Sequence, residues 1–93
     1  MIIKEYELQI TDNQNIELGG NMPIGYSVGE IDGKLMLWVQ LEEDYPGTFN
    51  IDVYVIKTGH RYDKNDVFAG SAVMSSGLAV HVFVKLQYIR AGI

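Results

Sequence analysis

The stretch that most limits the fold of this chain is Leu78 to Leu86, read Leu-Ala-Val-His-Val-Phe-Val-Lys-Leu. Extended backbone sends successive side chains to opposite faces, so Leu78, Val80, Val82, Val84 and Leu86 share one face. Ala79, His81 and Phe83 occupy the other, before Lys85 and Gln87 turn it polar. A segment that seeks cover on both sides for most of its length is expected in the interior of a sheet.

The same period of two recurs along the chain. Ile2 to Ile10 sets Ile2, Tyr6, Leu8 and Ile10 against Glu5, Glu7 and Gln9, with Lys4 breaking the apolar row. Thr11-Asp12-Asn13-Gln14-Asn15 is turn chemistry, Ile16-Glu17-Leu18 is extended again, and Gly19-Gly20-Asn21-Met22-Pro23 interrupts it. In Ile24 to Ile31, Ile24, Tyr26 and Val28 oppose Gly25, Ser27 and Gly29, a glycine-rich face open to close approach. Asp32-Gly33 then predicts a type I′ hairpin into Lys34–Glu42, because that turn needs positive φ at both central residues. Leu35, Leu37, Val39 and Leu41 are the core row of the second arm. Glu43-Asp44-Tyr45-Pro46-Gly47 is a loop, and Phe49 to Lys57 turns Phe49, Ile51, Val53 and Val55 inward. Thr58 to Asp66 is a polar loop, Val67 to Met74 a weaker strand, and Ser75-Ser76-Gly77 turns into the central strand.

No segment of helical length carries an apolar period of 3.6 residues. The expected fold is therefore all-β: a small, mainly antiparallel sandwich or partly closed barrel of six or seven strands in which sequential neighbours pair. It forms one domain over residues 1–93, with 88–93 as a short C-terminal tail. At 93 residues the chain buries only about 60–65% of its unfolded surface. Without cysteine it must hold by packing alone, with an ordinary stability of roughly 5–10 kcal/mol.

Cysteine chemistry, thiolate zinc sites and disulfides are excluded by composition. The start lacks the basic and apolar regions of a secretory signal, and no apolar run approaches the ~18 residues of a spanning helix. The expectation is a soluble, cytoplasmic protein that binds no membrane. A net charge of −5 with scattered basic residues offers no stripe for phosphates, which argues against direct nucleic-acid binding and favours a partner with a basic surface.

Catalytic patterns fail on context. Gly25-Tyr26-Ser27-Val28-Gly29 matches G-x-S-x-G, yet it reads as a strand entering a hairpin, whereas a hydrolase serine needs a strand-to-helix turn. Gly29-Glu30-Ile31-Asp32-Gly33-Lys34 is one residue short of a phosphate loop, and Leu35 stands where a hydroxyl must hold magnesium. His60 and His81 are too few for a three-histidine zinc site, and a mixed site with Asp63 and Asp66 is the weaker reading. His81 on its strand reads as a packed or interfacial histidine, while His60 follows Gly59 in a loop of the kind that carries binding residues. The chain is read as a non-enzyme with no cofactor and no metal.

Two candidate binding sites remain. Met36 and Trp38 stand opposite the core row, and Tyr54 and Ile56 share that reversed parity on the following strand. Were the two strands to pair, these four residues would form one apolar patch suited to a homodimer or another partner. The second candidate is the loop Thr58-Gly59-His60-Arg61, suited to a small ligand such as a signalling nucleotide.

The run from Tyr6-Glu7-Leu8-Gln9-Ile10-Thr11-Asp12 to Leu18, Gly33-Lys34 with Leu37-Trp38, Thr58-Gly59-His60, and Gly77 through His81-Val82-Phe83 resembles an uncharacterised family of small phage and prophage proteins. That family usually has Gly-Thr-Gly-His-Pro, where this chain has Lys57 before Thr58 and Arg61 after His60, and this chain continues about ten residues past the usual end near Phe83. The resemblance implies a phage-encoded, non-enzymatic anti-defence protein, for example an anti-CRISPR, that inhibits a host protein in the host cytoplasm by direct binding. The alternatives are a small-ligand or signalling-nucleotide binder and a virion structural or assembly protein.

Overall fold

The computed structural model describes residues 1–11, 13–60, 62 and 66–89, and these form seven strands and no helix. The strands are β1 (Ile2–Leu8), β2 (Gln14–Gly19), β3 (Met22–Ile31), β4 (Lys34–Glu42), β5 (Thr48–Lys57), β6 (Val67–Val73) and β7 (Ala79–Ile89). They make two antiparallel sheets, in the orders β1-β4-β3 and β2-β5-β7-β6. The sandwich alternative of the sequence reading is the one observed. Among the described residues there is no helix long and apolar enough to cross a membrane.

Alternation explains the two layers. Leu35, Leu37, Val39 and Leu41 of β4 meet Ile51, Val53 and Val55 of β5 and Val80, Val82 and Val84 of β7 in one buried cluster. Each inner row is the apolar half of an alternating strand, and facing rows bury one another without a third layer. β7 is interior to its sheet, paired with β5 and β6, as its composition predicts. Its inner row is buried from Val80 to Val84, while Leu86 emerges into solvent. The Asp32-Gly33 hairpin is also as expected, with φ of 52° and 80° and Ile31 paired to Lys34.

Three expectations are corrected. Sequential pairing holds only for β3–β4 and β6–β7, whereas β1–β4, β2–β5 and β5–β7 are non-sequential. In particular, β4 and β5 belong to different sheets, because the loop after Glu42 carries the chain from one layer to the other and sets their inner rows face to face. Met22 and Pro23 begin β3 rather than break it, and Pro23 is tolerated because β3 is an edge strand. Tyr88 and Ile89 continue β7 instead of forming a tail: the Tyr88 ring packs 4.8 Å from Phe49 and its hydroxyl donates to Pro46 O at 2.9 Å. The polarity of Lys85 and Gln87 marked an outward face, not the end of the strand. Residues 90–93 of the expected tail lie outside the described residues.

Candidate functional site

The four residues proposed as one patch lie on opposite outer faces of the sandwich. Met36 and Trp38 project from β4 on one sheet, Tyr54 and Ile56 from β5 on the other. Met36 and Tyr54 are buried, yet neither belongs to the central core cluster, so each is covered on its outer face. The single patch fails because its premise, pairing of β4 with β5, is not met.

The outer face of the β2-β5-β7-β6 sheet instead joins two residues of that patch, Tyr54 and Ile56, to one residue of the loop candidate, Thr58. Register aligns Tyr54, Phe83 and Phe68 as one cross-strand row, and Ile56, His81 and Ser71 as the next. Cross-strand neighbours of this kind lie close enough to contact one another. Phe68 lies 5.4 Å from Phe83 between ring centroids. Tyr62 returns from the loop to stack on Phe83 at 4.2 Å with an interplanar angle of 20°, and it also meets Tyr54 at 5.8 Å. The Tyr62 hydroxyl donates to Asp66. Burial first, then this hydrogen bond and the charges of Asp66 and Tyr54, hold the phenol well above the ordinary tyrosine pKa. Tyr54 is thus roofed by Tyr62, while Phe68 remains 56% exposed at the edge.

His81 sits beside this aromatic row with both ring nitrogens engaged. Ser71 Oγ lies 2.6 Å from Nδ1 and Thr58 Oγ1 lies 2.8 Å from Nε2. Thr58 Oγ1 also donates to Ala79 O at 3.5 Å, so the arrangement that satisfies every group has Nε2–H donating to Thr58 and Ser71 donating to Nδ1. Gly59 and His60 of the predicted loop form a turn instead. His60 is exposed and its backbone N–H closes a tight turn to Lys57 O at 3.1 Å, with Gly59 at a φ of 87°. Arg61 lies outside the described residues, as does Asp63 of the weaker metal reading.

Sequence reasoning missed Phe68, Ser71 and Tyr62. Phe68 and Ser71 are three apart, so simple alternation assigns them to opposite faces. A bulge at Ala69, between the pairs Phe68–Phe83 and Gly70–Val82, restores both to one face. Gly70 inside a strand was the available signal for it. Tyr62 returns through a loop whose path no period predicts.

On the opposite sheet, Trp38 lies between its partners Glu5 of β1 and Ser27 of β3. Its Nε1 donates to Glu5 Oε1 at 2.9 Å. Its benzo edge rests over Gly29, where an added Cβ would stand 3.0 Å from Cζ3. Gln40 lies across Gly25, where an added Cβ would come 2.5 Å from Oε1. The glycine-rich face is thus occupied by side chains of the chain itself, leaving between them a groove of about 360 Å³ that includes Ser27 and Ile3. A bulge at Ile24 displaces that residue from its expected row and leaves it 45% exposed.

Ser27 is therefore a mid-strand residue of β3, not the tip of a strand-to-helix turn. A fluorophosphonate probe is expected to leave it unmodified in intact-mass analysis. Labelling that disappears in Ser27→Ala would contradict this.

No curated protein and no solved structure matches the chain. Over residues 1–90 it matches the family described as a domain of unknown function, DUF7352, and the chain belongs to that family.

Proposed function

We propose that this is a non-enzymatic protein that inhibits a partner protein by direct contact through the outer face of the β2-β5-β7-β6 sheet. The observation that carries the reading is the aromatic surface Tyr62–Phe83–Phe68, rigid at its centre by stacking and open at Phe68. Aromatic rings supply large contact area at little entropic cost, and they dominate the energetics of interfaces. Ser71 and Thr58, oriented by His81, add hydroxyl oxygens with spare acceptor capacity beside them. A serine–histidine–threonine relay also has the order of a nucleophile, a base and an orienting group. Acyl transfer further requires N–H donors aimed at the developing oxyanion, and strand N–H groups lie in the plane of the sheet rather than along its outward normal. Binding is the better use of this surface.

The resemblance to small phage and prophage proteins supports a host protein as target and an anti-defence role, such as an anti-CRISPR, acting in the host cytoplasm. The net charge of −5 favours a basic surface on that partner and raises its rate of encounter. The test is immobilised wild-type protein and Phe68→Asp in host lysate, with captured proteins identified by mass spectrometry, alongside phage plating on a CRISPR-immune host. Wild type should retain a defence protein and rescue plating, and Phe68→Asp should lose both by at least about tenfold, or ~1.4 kcal/mol. Capture and rescue that survive Phe68→Asp would refute this face; self-association measured by light scattering, without a host partner, would make it a homodimer surface instead.

A further inference from the structure

We infer that the groove on the outer face of the β1-β4-β3 sheet is a binding site for a neutral sugar ring, with Trp38 as its platform and Gln40 and Ser27 as its polar contacts. This site is separate from the Phe68 surface and does not rest on it, since it lies on the other sheet.

The platform is fixed from both ends. Glu5 holds the indole N–H at 2.9 Å, and the benzo edge leans over Gly29. Gly29 pairs with Met36, two residues along β4 from Trp38 and on the same face, so the ring tilts away from Gln40. Gln40 lies flat across its own partner Gly25. Ser27, directly opposite Trp38, is exposed between the indole and the carboxamide. The two glycines create this opening, because a side chain at either would collide with Trp38 or Gln40. About 360 Å³ falls at the lower end of small-ligand sites, which run from about 300 to 1,000 Å³.

The lining chemistry selects the ligand. A pyranose presents an apolar C–H face and a rim of hydroxyls that both donate and accept. The indole suits the C–H face, and donation of its N–H to a carboxylate raises the ring's electron density toward polarised C–H groups. The Gln40 carboxamide offers one donor group and one acceptor to a diol, and the Ser27 hydroxyl serves either role. None of the residues lining the groove carries a formal charge, and the nearby Glu5 together with the net charge of −5 opposes phosphates and other anions.

Trp38 is the single tryptophan of the chain, so its emission reports on this groove alone. The experiment titrates full-length protein with β-1,4-linked glucose and N-acetylglucosamine oligomers, and with choline and adenosine as competing chemistries. A saturable emission change with at least one neutral oligomer is expected below about 10 mM. Gln40→Ala and Ser27→Val should each weaken it by at least about tenfold with an unchanged circular dichroism spectrum. Phe68→Asp should leave the titration as in wild type, which separates a failure here from a failure of the partner surface. No response to either oligomer series, a response to choline or adenosine alone, or a sugar response that Gln40→Ala leaves intact would each overturn the assignment.

Discussion

Val82→Ala is expected to lower the unfolding free energy by about 2–3 kcal/mol, a large share of a total near 5–10 kcal/mol. Val82 is fully buried at the centre of β7, flanked by Val55 on β5 and Gly70 on β6. Removing two methyl groups forfeits about 1.6 kcal/mol of transfer free energy. The cavity adds to that, because neighbours on both flanking strands are held by their ladders and cannot collapse into the space. Urea unfolding should show a lower midpoint with an unchanged slope. A loss below roughly 0.5 kcal/mol would mean that the inner row of β7 does not carry the core.

Gly70→Ala should cost about 2–4 kcal/mol by combining backbone strain with a collision. Gly70 has a φ of 152°, which L side chains rarely adopt, and an added Cβ would meet Val28 Cβ at 3.1 Å, Val28 Cγ2 at 3.2 Å and Val28 N at 3.4 Å. Val28 belongs to β3 of the other sheet, so this contact is where the edges of the two layers meet. A second tie there runs from the Ser75 N–H to Glu30 Oε1 at 2.6 Å. Gly33→Ala is the matched comparison, since its φ is 80° but nothing lies within 4 Å of the added Cβ. It should cost only about 1 kcal/mol. Equal losses at the two positions, measured by urea unfolding, would show that the layers part freely at this corner and that only the backbone term operates.

Much of the candidate surface was visible in the sequence as parts without an arrangement. Alternation puts Tyr54 and Ile56 on an outward face, the polar loop holds Thr58, and the central strand holds His81, with nothing local to join them. Register set Ile56 beside His81, and the hydroxyl of Thr58 closed onto the same imidazole. Trp38 and Met36 stand on the face where alternation expects polar side chains, yet the hydrogen bond of Trp38 to Glu5 depends on β1 pairing with β4, some thirty residues away in the chain. Nothing local specifies that partner.

By itself the sequence determined the strands, most of their inward faces and the Asp32-Gly33 turn, because alternation and positive φ are properties of a few adjacent residues. Tertiary structure decided which strands became neighbours, where β3 and β6 took their extra residues, and hence which outward side chains share a face. The physical reason is that inner rows such as Leu35–Leu41 and Phe49–Val55 satisfy the hydrophobic drive side by side or face to face. Only packing of the whole core distinguishes the two, and here face to face placed Trp38 and Tyr54 on opposite sides of the molecule.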